Sequence, residues 1–369
     1  MEEPIRVFHI LQRMEAGGTQ ALLMNIYRKI DRTKVQFDFL VVYKEKQFYD
    51  DEIEKMEGHV YKMSFREDLN LLKFQKDLAA FFAKHHEYKI VHCHAYTIGY
   101  FCLKAAEKAG IPVRIAHSHN NETVHDIKYL PKLFMQRVFT KNATDLFACS
   151  EEAGKYLFKE KSFQVLKNAI DSHKFIADIN IREEVRKELG LEDKFIVGHV
   201  GRLHPQKNHN FLIDVFDEIK KKQQNAELIL VGTGPLEEKI KNKVEEKNLS
   251  DCVHFLGNSK DMNRIYQAMD VFVFPSLFEG LGIVAIEAQA AGVPIVCSEG
   301  LPPETDITPI YRKLLLSDGA ETWADAALEM AQSPNAHTNM QQYIIDAGFD
   351  MNATAKSMEQ YYLSKWSNC

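Results

Sequence analysis

At 369 residues the chain is two to three times the usual length of a domain, which predicts two domains. Apolar residues make up 45% and charged residues 27%, a globular balance that excludes a disordered or fibrous chain. The net charge of -6 excludes a nucleic-acid footprint over the whole chain, but it hides an asymmetry: residues 1–170 carry 26 Lys+Arg against 22 Asp+Glu, and the remainder 20 against 30.

The start, MEEPIRVFHILQRM, is acidic and then β-like, with no basic segment leading into an apolar core, so it does not read as a signal peptide. Short β-branched runs then alternate with longer amphipathic stretches, the pattern of βα units on a parallel sheet. In the first half the strands are expected at Ile5–Leu11, Phe37–Val42, Ile90–Cys93, Val113–Ala116 and Asp145–Cys149, with helices such as Leu71–His86 and Ile98–Ala109 between them. After Leu166 the polar KNAIDSHKF reads as a linker. A second series follows at Phe195–Val200, Ala226–Val231, Val253–Leu256, Val271–Phe274 and Pro294–Cys297, and Ala353–Trp366 reads as a terminal helix. The expectation is an α/β protein of two doubly wound, Rossmann-like domains facing across a cleft: residues 1–170, residues 171–345, and a C-terminal helix in 346–369 packing back toward the first domain. In such sheets ligands sit at the carboxyl ends of the strands.

Six scattered cysteines without a C-x-x-C pair predict a reduced, intracellular protein. The most apolar long window, Leu281–Cys297, is interrupted by Glu287, Gln289, Gly292 and Pro294, so no membrane span is expected.

The segment FPSLFEGLGIVAIEAQAAGVPIVCS, residues 274–298, is the richest in chemistry. A strand ends, a loop carries Glu279, Gly280, Leu281 and Gly282, and a helix holding Glu287 begins. Glycines let backbone amides approach a ligand, and a helix start favours an anion. Carboxylates beside such a site suit a ligand that has sugar hydroxyls as well as phosphate. The plainer alternative makes Glu279 and Glu287 helix-terminal acids favoured by the dipole. In VGHVGRLHPQKNHNFLIDVF, residues 197–216, a strand leads to a loop with Arg202 and Lys207, two cations suited to a diphosphate, or else ordinary surface charges. This loop does not fit the Walker pattern. LILVGTGPLEEKI puts Gly232 and Gly234 after a strand without the third glycine of a dinucleotide fingerprint. Gly17 and Gly18 lie between the first strand and first helix, where a phosphate-approaching loop belongs. Two H-x-H pairs, His92 with His94 and His117 with His119, each share a strand face. Zinc would need further ligands at recognisable spacing, so the reading is one cleft histidine as a hydrogen-bond partner, the others being structural, and no metal.

The run Gly201-Arg202-Leu203 to Lys207, the G-T-G-P loop, and Glu279 to Glu287 with E-G-L-G inside it resemble a retaining glycosyltransferase of family 4 with the GT-B fold. The Gly17-Gly18 loop and His119 match the amino-terminal half of that pattern. AHSHN, QKNHNFLIDVF and LPPETDI resemble most the EpsF-like transferases of bacterial capsule and exopolysaccharide assembly. Two departures stand out: Gly17-Gly18-Thr19-Gln20 replaces Gly-Gly-Ala-Glu of many relatives, and Asn168-Ala169-Ile170-Asp171 replaces Asn-Gly-Ile-Asp.

The resemblance implies a nucleotide-sugar donor, preferably a UDP-sugar, bound mainly by the second domain. Arg202 and Lys207 would neutralise the departing diphosphate without a metal, Glu287 would accept from the ribose hydroxyls, and Glu279 with the Leu281 and Gly282 amides would hold the sugar and β-phosphate. His119 would hydrogen-bond the transferred sugar, and the acceptor would be a saccharide or lipid-linked saccharide at the cytoplasmic face of a bacterial membrane. No other cofactor is implied. Peripheral contact with anionic lipid is expected through KYLPKLFMQRVFTKN, where Lys128, Lys132, Arg137 and Lys141 accompany Leu133, Phe134 and Phe139; the equally weighted alternative packs Phe134 and Phe139 on the sheet and leaves the cations facing water. The rival readings are a catalytically silent GT-B scaffold and a dinucleotide-dependent oxidoreductase, the latter disfavoured by the missing G-x-G-x-x-G.

Overall fold

The structure, a computed structural model, describes residues 3–15, 18–63, 65, 70–95, 98–119 and 138–369. It forms two compact units, one of the residues up to Ala169 together with Met351–Cys369, the other Ile170–Asp350. The chain therefore passes between units at Ala169/Ile170 and at Asp350/Met351, rather than at 170/171 and 345/346.

The first unit is built on a parallel sheet of β1 (Ile5–Ile10), β2 (Val35–Val41), β3 (Val60–Lys62), β4 (Ile90–Cys93), β5 (Val113–Ser118), β6 (Asp145–Ala148) and β7 (Gln164–Val165), in the order β3-β2-β1-β4-β5-β6-β7. Its central strands are apolar on both faces because helices cover both sides. Thus Val7 of β1 joins a core cluster with Tyr27, Phe37 and Phe39, while its neighbour Phe8 joins one with Leu78, Phe82 and Val91. The terminal helix, Met351–Ser367, buries Met351, Ala355, Met358 and Tyr362, a helical stripe, in the cluster that contains Val7. On β2 the buried Asp38 accepts from Arg6 at 2.5 and 2.6 Å, from the Tyr88 hydroxyl at 2.8 Å and from the His59 amide at 2.8 Å.

The second unit repeats the plan with β8 (Phe195–Val200), β9 (Ala226–Val231), β10 (Val253–Gly257), β11 (Val271–Phe274), β12 (Ile295–Ser298) and β13 (Tyr311–Leu314), in the order β10-β9-β8-β11-β12-β13. Ile196 and Val200 of β8 face one core cluster and Val197 the other. The strands absent from the sequence reading, β3, β7 and β13, are short edge strands with partly exposed residues. An edge strand is half solvated and need not carry the apolar run that reveals a central one.

Both sheets reverse their winding beside the first strand of the unit, between β1 and β4 and between β8 and β11. The carboxyl ends of these pairs are the topological switch points at which doubly wound folds hold ligands. Among the described residues no helix is long and apolar enough to cross a membrane, and all six cysteines are free.

Candidate functional site

In the second unit the predicted residues converge at the β8/β11 switch point. After β8 the chain turns at Gly201, runs through Arg202 to Lys207, and re-enters a helix at His209–Lys222. After β11 it runs through Ser276 to Gly282 into the helix Ile283–Ala290. The two loops are joined by backbone, Leu277 N–H donating to the Gln206 carbonyl at 2.8 Å, and by an ion pair, Lys207 Nζ donating to Glu279 Oε1 at 2.7 Å. This pair is largely buried, with side-chain exposures of 14% and 7%, and the ammonium lies 4.6 Å from the centre of the Phe274 ring. An ammonium has three N–H donors, so Glu279 leaves capacity for an anion. Arg202 is exposed and forms no ion pair among the described residues.

Two glycine positions are dictated by close approach of backbone. Gly232 has φ of +135°, and a Cβ there would lie 2.1 Å from the Gly201 carbonyl oxygen; a Cβ on Gly234 would lie 2.5 Å from that of Leu203. These glycines let the β9 loop lie against the β8 loop, whose Leu203 amide donates to Thr233 at 3.0 Å. Gly282, at φ +72°, is the N-cap of Ile283–Ala290, a left-handed conformation that favours glycine. The Ile283 and Val284 amides precede the first hydrogen bond of this helix, Ala285 N–H to the Gly282 carbonyl at 2.8 Å, and lie at its positive dipole end. Gly280 has open space where a Cβ would be, and Leu281 is partly buried.

Glu287 lies in the second turn of the same helix and accepts from the buried Tyr266 hydroxyl at 3.0 Å. Burial raises the carboxyl to about 7, the Tyr266 hydrogen bond opposing this only in part. Glu287 is therefore more than a solvated acid favoured by a helix dipole. It is a carboxylate held where charge is costly, a condition that a hydroxyl-rich ligand would relieve.

In the first unit, His119 follows β5, and one imidazole N–H is shared with His94 between Nε2 and Nδ1 at 2.8 Å. Burial lowers His119 to about 3, so it is neutral at ordinary pH. The paired histidines are not separate. His92 Nε2 and His117 Nδ1 are 3.1 Å apart, and His9 Nδ1 lies 3.1 Å from His94 Nε2. His9 went unnoticed in the sequence; the signal was topological, since this winding order places β1 beside β4 and registers His9 against His92. Gly18 opens the first helix, Gly18–Lys29, while Gly17 lies outside the described residues. Of the expected lipid-contact segment, residues 128, 132–134 and 137 lie outside them too. Lys141 is exposed, but Phe139 is fully buried in the core against the helix Gly99–Lys108 and is not available to lipid. Its large apolar ring sits where burial stabilises most.

The sequence also left unread Tyr266, which lies 21 residues from its partner, and the exposed Leu277 and Phe278, which project from the loop just before Glu279. No local pattern marks these; proximity to the switch point does.

The family described as Glycosyl transferases group 1 matches residues 181–347. Over 97% of this chain and 96% of the relative, the sequence is 32% identical to EpsF of Bacillus subtilis (strain 168), which is named as a glycosyltransferase. It is 28% identical, over 80% of this chain and 79% of the relative, to the UDP-Gal:alpha-D-GlcNAc-diphosphoundecaprenol alpha-1,3-galactosyltransferase of Escherichia coli. Among solved structures, Anabaena Alr3699/HepE in complex with UDP superposes with a TM-score of 0.78 at 18% identity, over 98% of this chain and 100% of that one. That likeness is one of fold, two Rossmann-like halves of the GT-B type.

Proposed function

Because the chain belongs to the glycosyl transferases group 1 family and is a glycosyltransferase, we propose that it moves a hexose or N-acetylhexosamine from a UDP-sugar, with retention, to a saccharide or lipid-linked saccharide in polysaccharide assembly. The observation that carries the reading is the Lys207–Glu279 pair across the β8/β11 switch point, set beside a glycine-capped helix start and the uncomfortable carboxylate of Glu287. The E. coli relative is named for a UDP-Gal donor and a diphosphoundecaprenol-linked acceptor, and the Anabaena structure holds UDP; both support the choice of donor and acceptor class.

The proposed roles follow from the chemistry of each group. Arg202 and Lys207 take up the charge that develops on the diphosphate as its bond to the anomeric carbon breaks. The Leu281 and Gly282 amides add donors to the β-phosphate, Glu279 holds a sugar hydroxyl while orienting Lys207, and Glu287 accepts from the ribose hydroxyls. Gly232 and Gly234 keep the loops close enough to form this floor. Gly17 and Gly18 are assigned to the donor's phosphate side, and His119 to a hydroxyl of the transferred sugar. The acceptor hydroxyl attacks the anomeric carbon on the face that the diphosphate leaves, and its proton passes to a departing phosphate oxygen. Two cationic side chains serve where a divalent metal otherwise would, so turnover needs none.

The test is incubation of the purified protein with UDP-, GDP- and ADP-sugars and lipid-linked saccharides, following nucleotide release and the anomeric configuration of the product, with and without EDTA. Release of UDP with a retained anomer, unaffected by EDTA, is expected. Inversion, or activity lost to EDTA and restored by Mn²⁺, would overturn the mechanism; absence of any nucleotide release would favour the silent scaffold.

A further inference from the structure

Five histidines from three adjacent strands meet at the β1/β4 switch point: His9 at the end of β1, His92 and His94 at the end of β4, and His117 and His119 at the end of β5. Their rings stack, His117 on His119 with centres 4.0 Å apart and His92 on His94 at 4.2 Å. His94, His117 and His119 each offer a ring nitrogen, and the three nitrogens all lie within 4.8 Å of one another. Burial disfavours the charged form of all five, so they are neutral, the form in which imidazole binds metal. Among the described residues His117 Nε2 is buried without a hydrogen-bond partner. A buried polar nitrogen left in that state is costly unless something fills its lone pair.

We propose that His94, His117 and His119 bind a divalent cation of the zinc class, with His9 and His92 as outer partners. One set of tautomers accounts for the hydrogen bonds: His119 donates Nε2–H to His94 Nδ1 in the free protein and carries its proton on Nδ1 once an ion is bound. His94 donates Nε2–H to His9 Nδ1 and keeps a bare Nδ1; His117 donates Nδ1–H to His92 Nε2 and keeps a bare Nε2; His92 donates Nδ1–H to the Tyr362 hydroxyl at 2.7 Å. Ligand histidines held by hydrogen bonds through their other ring nitrogen are the usual construction of a metal site. Three nitrogens bound to zinc at 2.0–2.1 Å lie about 3.4 Å apart, so His94 and His119 move apart from 2.8 Å and exchange their mutual hydrogen bond for bonds to the ion. His94 and His119 are partly exposed, which gives an ion a way in. Hard oxygen-seeking ions such as Mg²⁺ are poorly matched to an all-imidazole set. The spacing H-x-H hid this site because each strand supplies only two ligands and the sheet supplies the rest.

The consequence for activity rests on the proposed role of His119. A cation on its Nε2 withdraws that nitrogen from the sugar, so micromolar Zn²⁺ inhibits transfer, and a chelator relieves the inhibition. The test is equilibrium dialysis of the full chain against Zn²⁺ or Mg²⁺, with the metal counted by mass spectrometry, for the wild type, His94→Gln and His117→Gln. One Zn²⁺ per chain in the wild type, at least tenfold weaker binding in either folded variant, and no retained Mg²⁺ are expected. Should the variants not fold, Co²⁺ absorption by the wild type decides, a tetrahedral imidazole spectrum supporting the site and a weak octahedral one refuting it. Failure of the wild type to retain Zn²⁺, or undiminished binding in folded variants, would overturn the proposal. Stoichiometric zinc without inhibition would uphold the site and remove His119 from the reaction.

Discussion

Replacing Glu287 with glutamine separates the stability of the second unit from its function. The carboxyl moves from its ordinary 4.5 to about 7 on folding, because burial penalises its charged form. At 1.36 kcal/mol per pH unit, ionising it inside the fold costs at most about 3 kcal/mol. The sign follows from linkage: a raised acid binds more protons folded than unfolded. The cost is therefore absent below about pH 4.5, grows as pH rises, and is complete above about pH 7. Glutamine keeps the acceptor for the Tyr266 hydroxyl and never ionises. For a unit of this size 1 kcal/mol corresponds to about 2–4 °C, so E287Q should melt about 6–12 °C higher than wild type at pH 8 and within 1–2 °C of it at pH 4. If the ribose contact is right, the same variant binds UDP about 10- to 100-fold more weakly at pH 8, because a charge-assisted hydrogen bond worth about 1.5–3 kcal/mol is lost. Wild-type affinity for UDP should itself fall as pH drops below about 7, where the carboxylate must first lose a proton to accept from the sugar. Calorimetry with and without UDP at both pH values reads all of this. A variant no more stable at pH 8, or one equally stabilised at pH 4 and pH 8, would refute the burial argument; unchanged UDP affinity would refute the contact.

Three further outcomes are expected. Arg202→Ala should lower the transfer rate by one to two orders of magnitude with little change in melting temperature, since the side chain is exposed and makes no ion pair among the described residues; near wild-type turnover would remove it from the donor site. Gly232→Ala should destabilise the second unit by about 2–4 kcal/mol in denaturant titration, because the new Cβ meets a carbonyl oxygen at 2.1 Å and φ of +135° is strained for alanine; a loss under about 0.5 kcal/mol would show that the β9 loop moves freely off the β8 loop. Sedimentation with vesicles should show binding to anionic but not neutral lipid, reduced by salt, through Lys128, Lys132, Arg137 and Lys141, at about 1 kcal/mol for each basic residue; equal pelleting with both kinds of vesicle would sink electrostatic docking.

The sequence by itself determined the α/β class, ten of the strands, the two-unit plan, the loops that carry Arg202, Lys207 and Glu279 and the helix that carries Glu287, because each depends on a local signal. Strand and helix periods are written within one segment, and a glycine or charge at a strand-to-helix turn is visible without its neighbours. Tertiary structure decided what those residues meet. Lys207 and Glu279 are 72 positions apart and pair only because the winding order sets β8 beside β11. Gly232 and Gly234 read as a weak phosphate loop, yet their immediate constraint is the backbone of another loop. Phe139 read either as an apolar contact for lipid or as a residue packed on the sheet, because sequence cannot tell which face of a short amphipathic stretch will be covered, and the fold buries it. The histidines show the same division: each H-x-H pair is plain in its own strand, whereas the five-ring cluster exists because β1, β4 and β5 are parallel neighbours at about 4.8 Å spacing, which brings side chains more than 80 positions apart into hydrogen-bond range.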